Sequence, residues 1–156
     1  MENEQLLLVD LLARLPYGVK IKLGDYDYQV CGYNSEKDMP MKIWFYYDSN
    51  QTLKSYIDVY LKDYHPYLRP MSSMTEEEFD KLKEYSELKY DQLDLASFQN
   101  GAYKCLDFYL SEVPSYVVIL VFDWLNKNHF DYRGLIERGL AIKVTKENNP
   151  YKTLKT

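Results

Sequence analysis

FDWLNKNHFDYRGLIERGLA, residues 122–141, is the stretch on which the fold turns. With the apolar run Tyr116–Val121 before it, it reads as a buried helix, a sharp corner and a second short helix. Pro114 breaks what precedes, and Ser115 can accept a hydrogen bond from a first-turn N–H. Val117, Val118, Ile119 and Val121 are β-branched, so a buried strand passing into a helix competes with this reading. Helix is preferred because Trp124, Leu125 and the polar run Asn126–His129 continue at helical spacing from Leu120 and Val121. The apolar run is too short to span a bilayer, which takes about 20 such residues. Phe130 sits in the corner, and Asp131 is placed to cap the second helix. Leu135 and Ile136 are its inward residues, with Arg133, Glu137 and Arg138 facing water. Gly139 looks like the glycine that ends a helix in the left-handed conformation, and Leu140–Val144 then alternates as a strand.

Working outward, residues 4–15 read as an amphipathic helix with Leu7, Leu8, Leu11, Leu12 and Leu15 inside and Asp10 and Arg14 outside. Pro16 and Gly18 stop it. From Val19 the period drops to two: Val19, Ile21 and Leu23 alternate with Lys20 and Lys22, Gly24-Asp25 turns the chain, and Tyr26, Tyr28 and Val30 continue a hairpin. Residues 32–40 form a polar loop, 41–47 a β-prone aromatic strand, Asp48–Asn50 a turn, and Ser55–Leu61 a further strand. This meander predicts an α+β fold: an N-terminal helix, a small bent antiparallel sheet or SH3-like barrel, a middle helix, and the C-terminal helix-corner-helix block. Residues 140–145 could complete the sheet.

Tyr64–Pro70 has two prolines and no periodicity, and reads as an extended connector. Ser73 or Thr75 begins the middle helix, each with a glutamate three residues on (Glu76, Glu78), a capping-box pattern. Phe79 and Leu82, with Tyr85 or Leu88, form its inner stripe. Asn100-Gly101 is a turn signal, whereas the nine residues after it fit strand or helix. The last residues, 146–156, look frayed. The expected organisation is one α+β domain over 1–150 with a flexible tail at 151–156.

At 156 residues with 46% hydrophobic content the chain can bury a real core. Seventeen tyrosines against six phenylalanines supply aromatic area with a polar tip, suited to half-buried sheet faces and to binding surfaces. A net charge of −5 argues against broad attraction to nucleic-acid backbones or anionic membranes. Cys31 and Cys105 lack metal-type spacing and read as two reduced thiols in a cytoplasmic protein. The acidic N-terminus carries no secretory signal pattern.

No motif announces chemistry. His129, with Asp123 and Asp131 nearby in sequence, is a candidate acid–base group, but a histidine between helices more often caps or packs. His65 has no evident partner. Two histidines and two scattered cysteines make no metal cluster, and the six scattered glycines make no phosphate loop, so neither metal nor cofactor is expected. Arg69, in its aromatic connector, could clamp a carboxylate or phosphate, stack on a tyrosine, or simply pair with the acidic helix that follows. Trp44, Tyr46, Tyr56 and Tyr60 could line a binding face on the sheet, or pack beneath the helices.

Three stretches, LLARLPYGVK (11–20), PYLRPMSSMTEEE (66–78) and FDWLNKNHFDYRGLIERGLA (122–141), together resemble a family of short, uncharacterised proteins of Bacteroidales bacteria, their phages and mobile elements. The resemblance implies a small intracellular accessory protein, and transfers no activity and no catalytic residue. The resemblance leaves out residues 24–60 and 87–115, and implies that the shared stretches are scaffold while the differing sheet, loop 32–40 and segment 91–113 choose partners. The expected function is therefore a non-enzymatic protein binding a host or phage macromolecule, foremost another protein; inhibition of a host defence system is one form of this. The alternatives are a nucleotide-like ligand stacked on tyrosines and held by Arg69, and a small hydrolase using His129 or a carboxylate pair. Exposed aromatic strands would also allow two copies to pair edge to edge as a homodimer.

Overall fold

The computed structural model describes residues 2–34, 41–46, 54–89, 93–102 and 113–151. The fold is α+β. Its elements are α1 (Glu2–Arg14), β1 (Lys20–Leu23), β2 (Tyr26–Asn34), β3 (Met41–Tyr46), β4 (Lys54–Val59), β5 (His65–Leu68), α2 (Glu76–Ser86), the single turn α3 (Leu95–Ser97), α4 (Ser115–Lys127) and β6 (Ile142–Lys143). Chain contacts divide it into two compact units: residues up to Leu68 together with those from Leu135 on, and Arg69–Gly134 between them.

The first unit is built on a sheet of order β4-β3-β2-β1-β5-β6. The predicted meander is present, each of β1 to β4 antiparallel to the next. Two expectations are corrected. The barrel is not closed, because β4 and β6 end the sheet on opposite sides. The sheet is mixed, because β6 runs parallel to β5, with Tyr67 opposite Ile142 and Leu68 opposite Lys143. β5 itself lies in the stretch that reads as a connector. Its proline hides a strand: Pro66 has no N–H to give, yet it pairs in register with Ile21 of β1. Gly32, Tyr33 and Asn34, expected in a loop, extend β2; residues 35–40 and the expected turn at 48–50 lie outside the described residues.

α1, with Leu15 just past its end, meets the first-unit core through Leu7, Leu8, Leu11 and Leu15 as the spacing predicts; the corrections are Leu12, which is exposed, and Asp10 and Arg14, expected outside and found inside. Leu7, Asp10, Leu11 and Arg14 are buried, while Val9 and Leu12 are exposed. Asp10 and Arg14 are fully inaccessible and bonded to each other, Arg14 Nε donating to Asp10 Oδ1 at 2.8 Å. The i, i+4 spacing with the acid first suits a helix. The shared core comprises Leu7, Leu11, Val19, Ile21, Val30, Ile43, Tyr64, Leu68 and Leu135.

Residues 146–151 do not fray. Asn148 Oδ1 accepts the Thr145 N–H at 2.6 Å, and Asn148 Nδ2 donates to the Lys143 carbonyl at 2.9 Å. The Tyr151 hydroxyl accepts the Lys20 N–H at 3.1 Å and donates to the Tyr67 carbonyl at 2.9 Å. It thereby bridges a β1 donor and a β5 acceptor, where each backbone group needs a partner. Lys20 Nζ donates to the Pro150 carbonyl at 2.7 Å. Burial, foremost, pushes the Tyr151 hydroxyl well above its usual pKa. Residues 152–156 lie outside the described residues.

The second unit is helical. Thr75 caps α2 with a complete capping box: the Glu78 N–H donates to Thr75 Oγ1 at 3.2 Å, and the Thr75 N–H donates to Glu78 Oε2 at 3.0 Å. α2 and α4 enclose a core of Phe79, Leu82, Leu88, Phe98, Val117, Val121, Trp124, Leu125 and Phe130. α4 is the helix expected from the apolar run, although Pro114 rather than Ser115 holds the N-cap position and no side chain caps it.

Both long helices here stop in the same way. The N–H of Glu87 reaches back to Glu84 and that of Leu88 to Lys83; the N–H of His129 reaches Asn126 and that of Phe130 reaches Leu125. This is the paired back-bonding of a left-handed helix stop, with Glu87 (φ 57°) and His129 (φ 58°) in the place glycine usually takes. The second helix of the C-terminal block is absent. Phe130 and Arg69 form a parallel bridge, and Gly134 then turns at φ 73°. Only one turn remains, Leu135–Gly139, closed by Gly139 N–H to Ile136 and Leu140 N–H to Leu135. Gly139 is left-handed as expected, at φ 69°, but Asp131 has no helix to cap.

Two stability measurements check this account. Asp10→Ala, which removes the carboxylate bonded to a buried guanidinium, costs roughly 3–5 kcal/mol in urea unfolding, whereas Asp10→Leu combined with Arg14→Met recovers most of that loss. Glu87→Gly relieves a left-handed, exposed glutamate and raises stability by about 1 kcal/mol.

Candidate functional site

Among the described residues the sheet carries a partly exposed aromatic row, and strand alternation builds it. In β3, Ile43 and Phe45 are buried, and Phe45 packs on Tyr28 with ring centroids 4.4 Å apart. Trp44 and Tyr46 therefore lie on the other face, where Trp44 is 38% exposed and Tyr46 half-buried. A bulge between Val30 and Gly32 shifts the β2 register so that Gly32 stands opposite Trp44. A Cβ placed on Gly32 would meet Trp44 Cβ and Cδ1 at 3.6 Å, so the Trp44 side chain lies across the bare backbone of the glycine. On the next strand Tyr56 is the register partner of Trp44, and Lys54 that of Tyr46; the Tyr56 side chain lies outside the described ones. Tyr60, just past β4, is 59% exposed, with Lys62 Nζ 5.4 Å from its ring centroid.

Gly32 is the residue of this face that the sequence reading passes over. A glycine inside a strand pattern is the available signal, since it marks a bulge or a close approach.

Arg69 belongs to the second unit and is engaged there. Nη1 and Nη2 donate to Glu78 Oε1 and Oε2 at 2.8 and 2.9 Å, a bidentate fork, and Cζ stands 4.2 Å over the Phe130 ring centroid. Its backbone N–H donates to the His129 carbonyl at 2.8 Å, and its carbonyl accepts the Asp131 N–H at 2.7 Å. Arg69 thus ties the start of α2 to the end of α4. Of its alternative roles, pairing with the acidic helix and aromatic stacking are both realised, the aromatic being Phe130. Burial alone would raise the Glu78 pKa, but hydrogen bonds from Arg69 and Thr75, with the Arg69 charge, outweigh it and hold the carboxyl below its ordinary 4.5.

His129 is buried at the helix stop. Asp123 accepts the Tyr85 hydroxyl at 2.7 Å, and this hydrogen bond, foremost, holds the Tyr85 pKa above its usual value. His65, on β5, sits with Nδ1 3.1 Å from the Asp63 carbonyl. Cys31 is half-buried in the bulge, and Cys105 lies outside the described residues. A cleft of about 200 Å³ runs along Glu87–Lys89, Val113, Pro114, Tyr116 and Val117; none of the candidate residues lines it, and it is smaller than ordinary ligand pockets. Among the described residues no group of three or more His, Cys, Asp or Glu could hold a metal ion, and no helix is long and apolar enough to cross a membrane. No protein-family model, curated protein or solved structure matches the chain.

The Arg69–Glu78 fork has a pH signature. Because the folded pKa of Glu78 is depressed, its contribution is present above the ordinary carboxylate range and is lost as pH falls through the folded value. Glu78→Gln keeps a capping-box acceptor but loses the ionic fork. It is expected to cost about 1 kcal/mol near pH 7, given the partial exposure of the pair. It should also flatten the decline in urea-unfolding stability below about pH 4.5.

Proposed function

We propose that this is a non-enzymatic binding protein, an accessory protein acting in the cytoplasm, whose aromatic sheet face engages another protein. The observation that carries the reading is Trp44, held partly exposed across Gly32, with Tyr46 two residues on along the same face of β3. Tryptophan and tyrosine are the residues on which protein interfaces concentrate their binding energy. The buried side of the same strand is already filled by Ile43 and Phe45, so the exposed aromatics are not needed to close the core. A net charge of −5 disfavours nucleic acid as the partner. The nucleotide-sequestering alternative asks Arg69 for a charge that Glu78 already holds in a bidentate fork. Interference with a host defence system is the specific form of binding that the phage-like resemblance favours.

The test is quantitative capture from lysate of the natural host, with and without phage infection, using wild-type, Trp44→Ser and Tyr60→Ala baits shown to be folded by circular dichroism. One protein captured in stoichiometric amount by wild type, and reduced about tenfold or more by Trp44→Ser, is the expected outcome. Capture unaffected by both substitutions would move the interface elsewhere. Background from every bait, with a nucleotide-induced thermal shift abolished by Arg69→Ala, would establish the small-ligand alternative instead.

A further inference from the structure

After β6 the chain doubles back across β5. Strand order puts β6 on one side of β5 and β1 on the other, yet Tyr151 places its hydroxyl between β1 and β5. Register sets where it lands. β1 and β5 pair antiparallel at Ile21↔Pro66 and Lys22↔His65, so the next rung sets Lys20 opposite Tyr67. The Val30 N–H donates to the Val19 carbonyl at 2.9 Å, which turns the backbone groups of Val19 toward β2. Those of Lys20 then point the other way, toward β5, as they alternate along a strand. The Lys20 N–H and the Tyr67 carbonyl thus face one another, and a regular ladder would bond them directly. Here the Tyr151 hydroxyl stands between them, accepting at 3.1 Å and donating at 2.9 Å. A hydroxyl, both donor and acceptor, is the side-chain group that fills such a gap with one atom.

The segment that delivers this hydroxyl is folded on itself. The Thr145 N–H and hydroxyl both donate to Asn148 Oδ1, at 2.6 and 3.2 Å, and Asn148 Nδ2 donates to the Lys143 carbonyl at 2.9 Å. Asn149 Oδ1 accepts the Tyr151 N–H at 2.9 Å. Residues 145–148 are exposed. Local side chains therefore satisfy backbone groups of the segment without help from the sheet. It grips the sheet through the Tyr151 hydroxyl and through the Pro150 carbonyl, which accepts from Lys20 Nζ at 2.7 Å.

We propose that residues 145–151 are a strap that opens and closes on the sheet as a unit, with the Tyr151 hydroxyl as its catch in the Lys20–Tyr67 rung. Lifting the strap uncovers one β1 donor and one β5 acceptor and releases the Lys20 ammonium from Pro150, while β1 to β4 keep their own pairing. The strap does not depend on the partner reading above, but it bears on the same face. Lys20, Gln29 and Tyr46 are successive partners in one cross-strand row. The strap thus decides whether the ammonium in that row is held by the chain's own carbonyl or open to a partner.

The test is amide hydrogen exchange followed by NMR on the full chain, as wild type and as Tyr151→Phe, in water and in urea below the unfolding transition. Lys20 reports the catch and Val30 the meander. In wild type, Lys20 should exchange about tenfold or more faster than Val30, relative to their intrinsic rates, and low urea should leave it unchanged because lifting the strap exposes little surface. Tyr151→Phe keeps the ring and removes the catch; it should speed Lys20 about tenfold again and change Val30 by less than about threefold. Wild-type Lys20 exchange that tracks Val30 through urea would mean that strap and sheet open only together. Equal acceleration of both amides in the variant would make Tyr151 a core residue, and an unchanged Lys20 would remove the catch. Each of these results overturns the proposal, and the wild-type comparison decides by itself where the variant does not fold.

Discussion

The ion pair between Asp10 and Arg14 is the constraint on which the first unit rests. Both side chains are wholly inaccessible, and taking two charges out of water is costly unless they are well paired and further bonded. The pair fixes which face of α1 turns inward. A helix set by its leucines alone would rotate Leu12 toward the core, yet Leu12 is exposed. The two charges also act on Tyr151, Arg14 favouring and Asp10 opposing its ionisation. The returning C-terminal segment therefore lies near the pair, and its hydroxyl closes the gap between β1 and β5. A polar cluster inside an apolar core rewards one arrangement strongly, because any misplacement leaves a buried charge or backbone group without its partner.

This also explains what could be read from the sequence and what could not. The strands β1 to β4 were legible because alternation and short connections are local properties, and Gly24 supplies the positive φ its turn requires. The Thr75–Glu78 capping box was legible because both halves lie within four residues. α4 was legible because its spacing continues past the β-branched run. The face of α1 was legible in part: Leu7, Leu8, Leu11 and Leu15 meet the core as their spacing predicts, while the burial of an ion pair at Asp10 and Arg14 is decided by tertiary partners. β5 was hidden by a proline whose missing N–H matters only once its neighbours are known. The absent helix after Asp131 follows from a long-range contact, because the bridge to Arg69 extends Phe130 before Gly134 turns the chain.

The candidate site was legible in part. Trp44, Tyr46 and Tyr60 lie on or beside the sheet, as alternation required, and Tyr56 occupies the matching register position. Arg69 is the instructive case. Isolated in sequence, a rigid arginine among aromatics suggests ligand capture as well as internal pairing; the internal pairing becomes visible only with the position of Glu78, nine residues on. His129 is a related case. Its position between acidic residues suggested chemistry, whereas its left-handed backbone and back-bonded N–H make it the stop signal of α4.

The three stretches on which the family resemblance rests acquire a common physical character. Residues 11–20 hold Arg14 and the left-handed Gly18; 66–78 hold Pro66, Arg69, Thr75 and Glu78; 122–141 hold His129, Phe130, Gly134 and Gly139. Nearly all are residues that stop a helix, turn the chain or close an ion pair, and few are exposed aromatics. The aromatic row falls instead within residues 24–60. On the proposed binding reading, that separation suits a scaffold carrying a recognition surface, because the residues that set the backbone path are distinct from outward sheet positions that contribute little to the core. On that reading, partly exposed aromatics such as Trp44 suit a macromolecule better than a metabolite, because small ligands gain affinity by being largely enclosed, whereas a protein partner can exclude water around a few central aromatic residues.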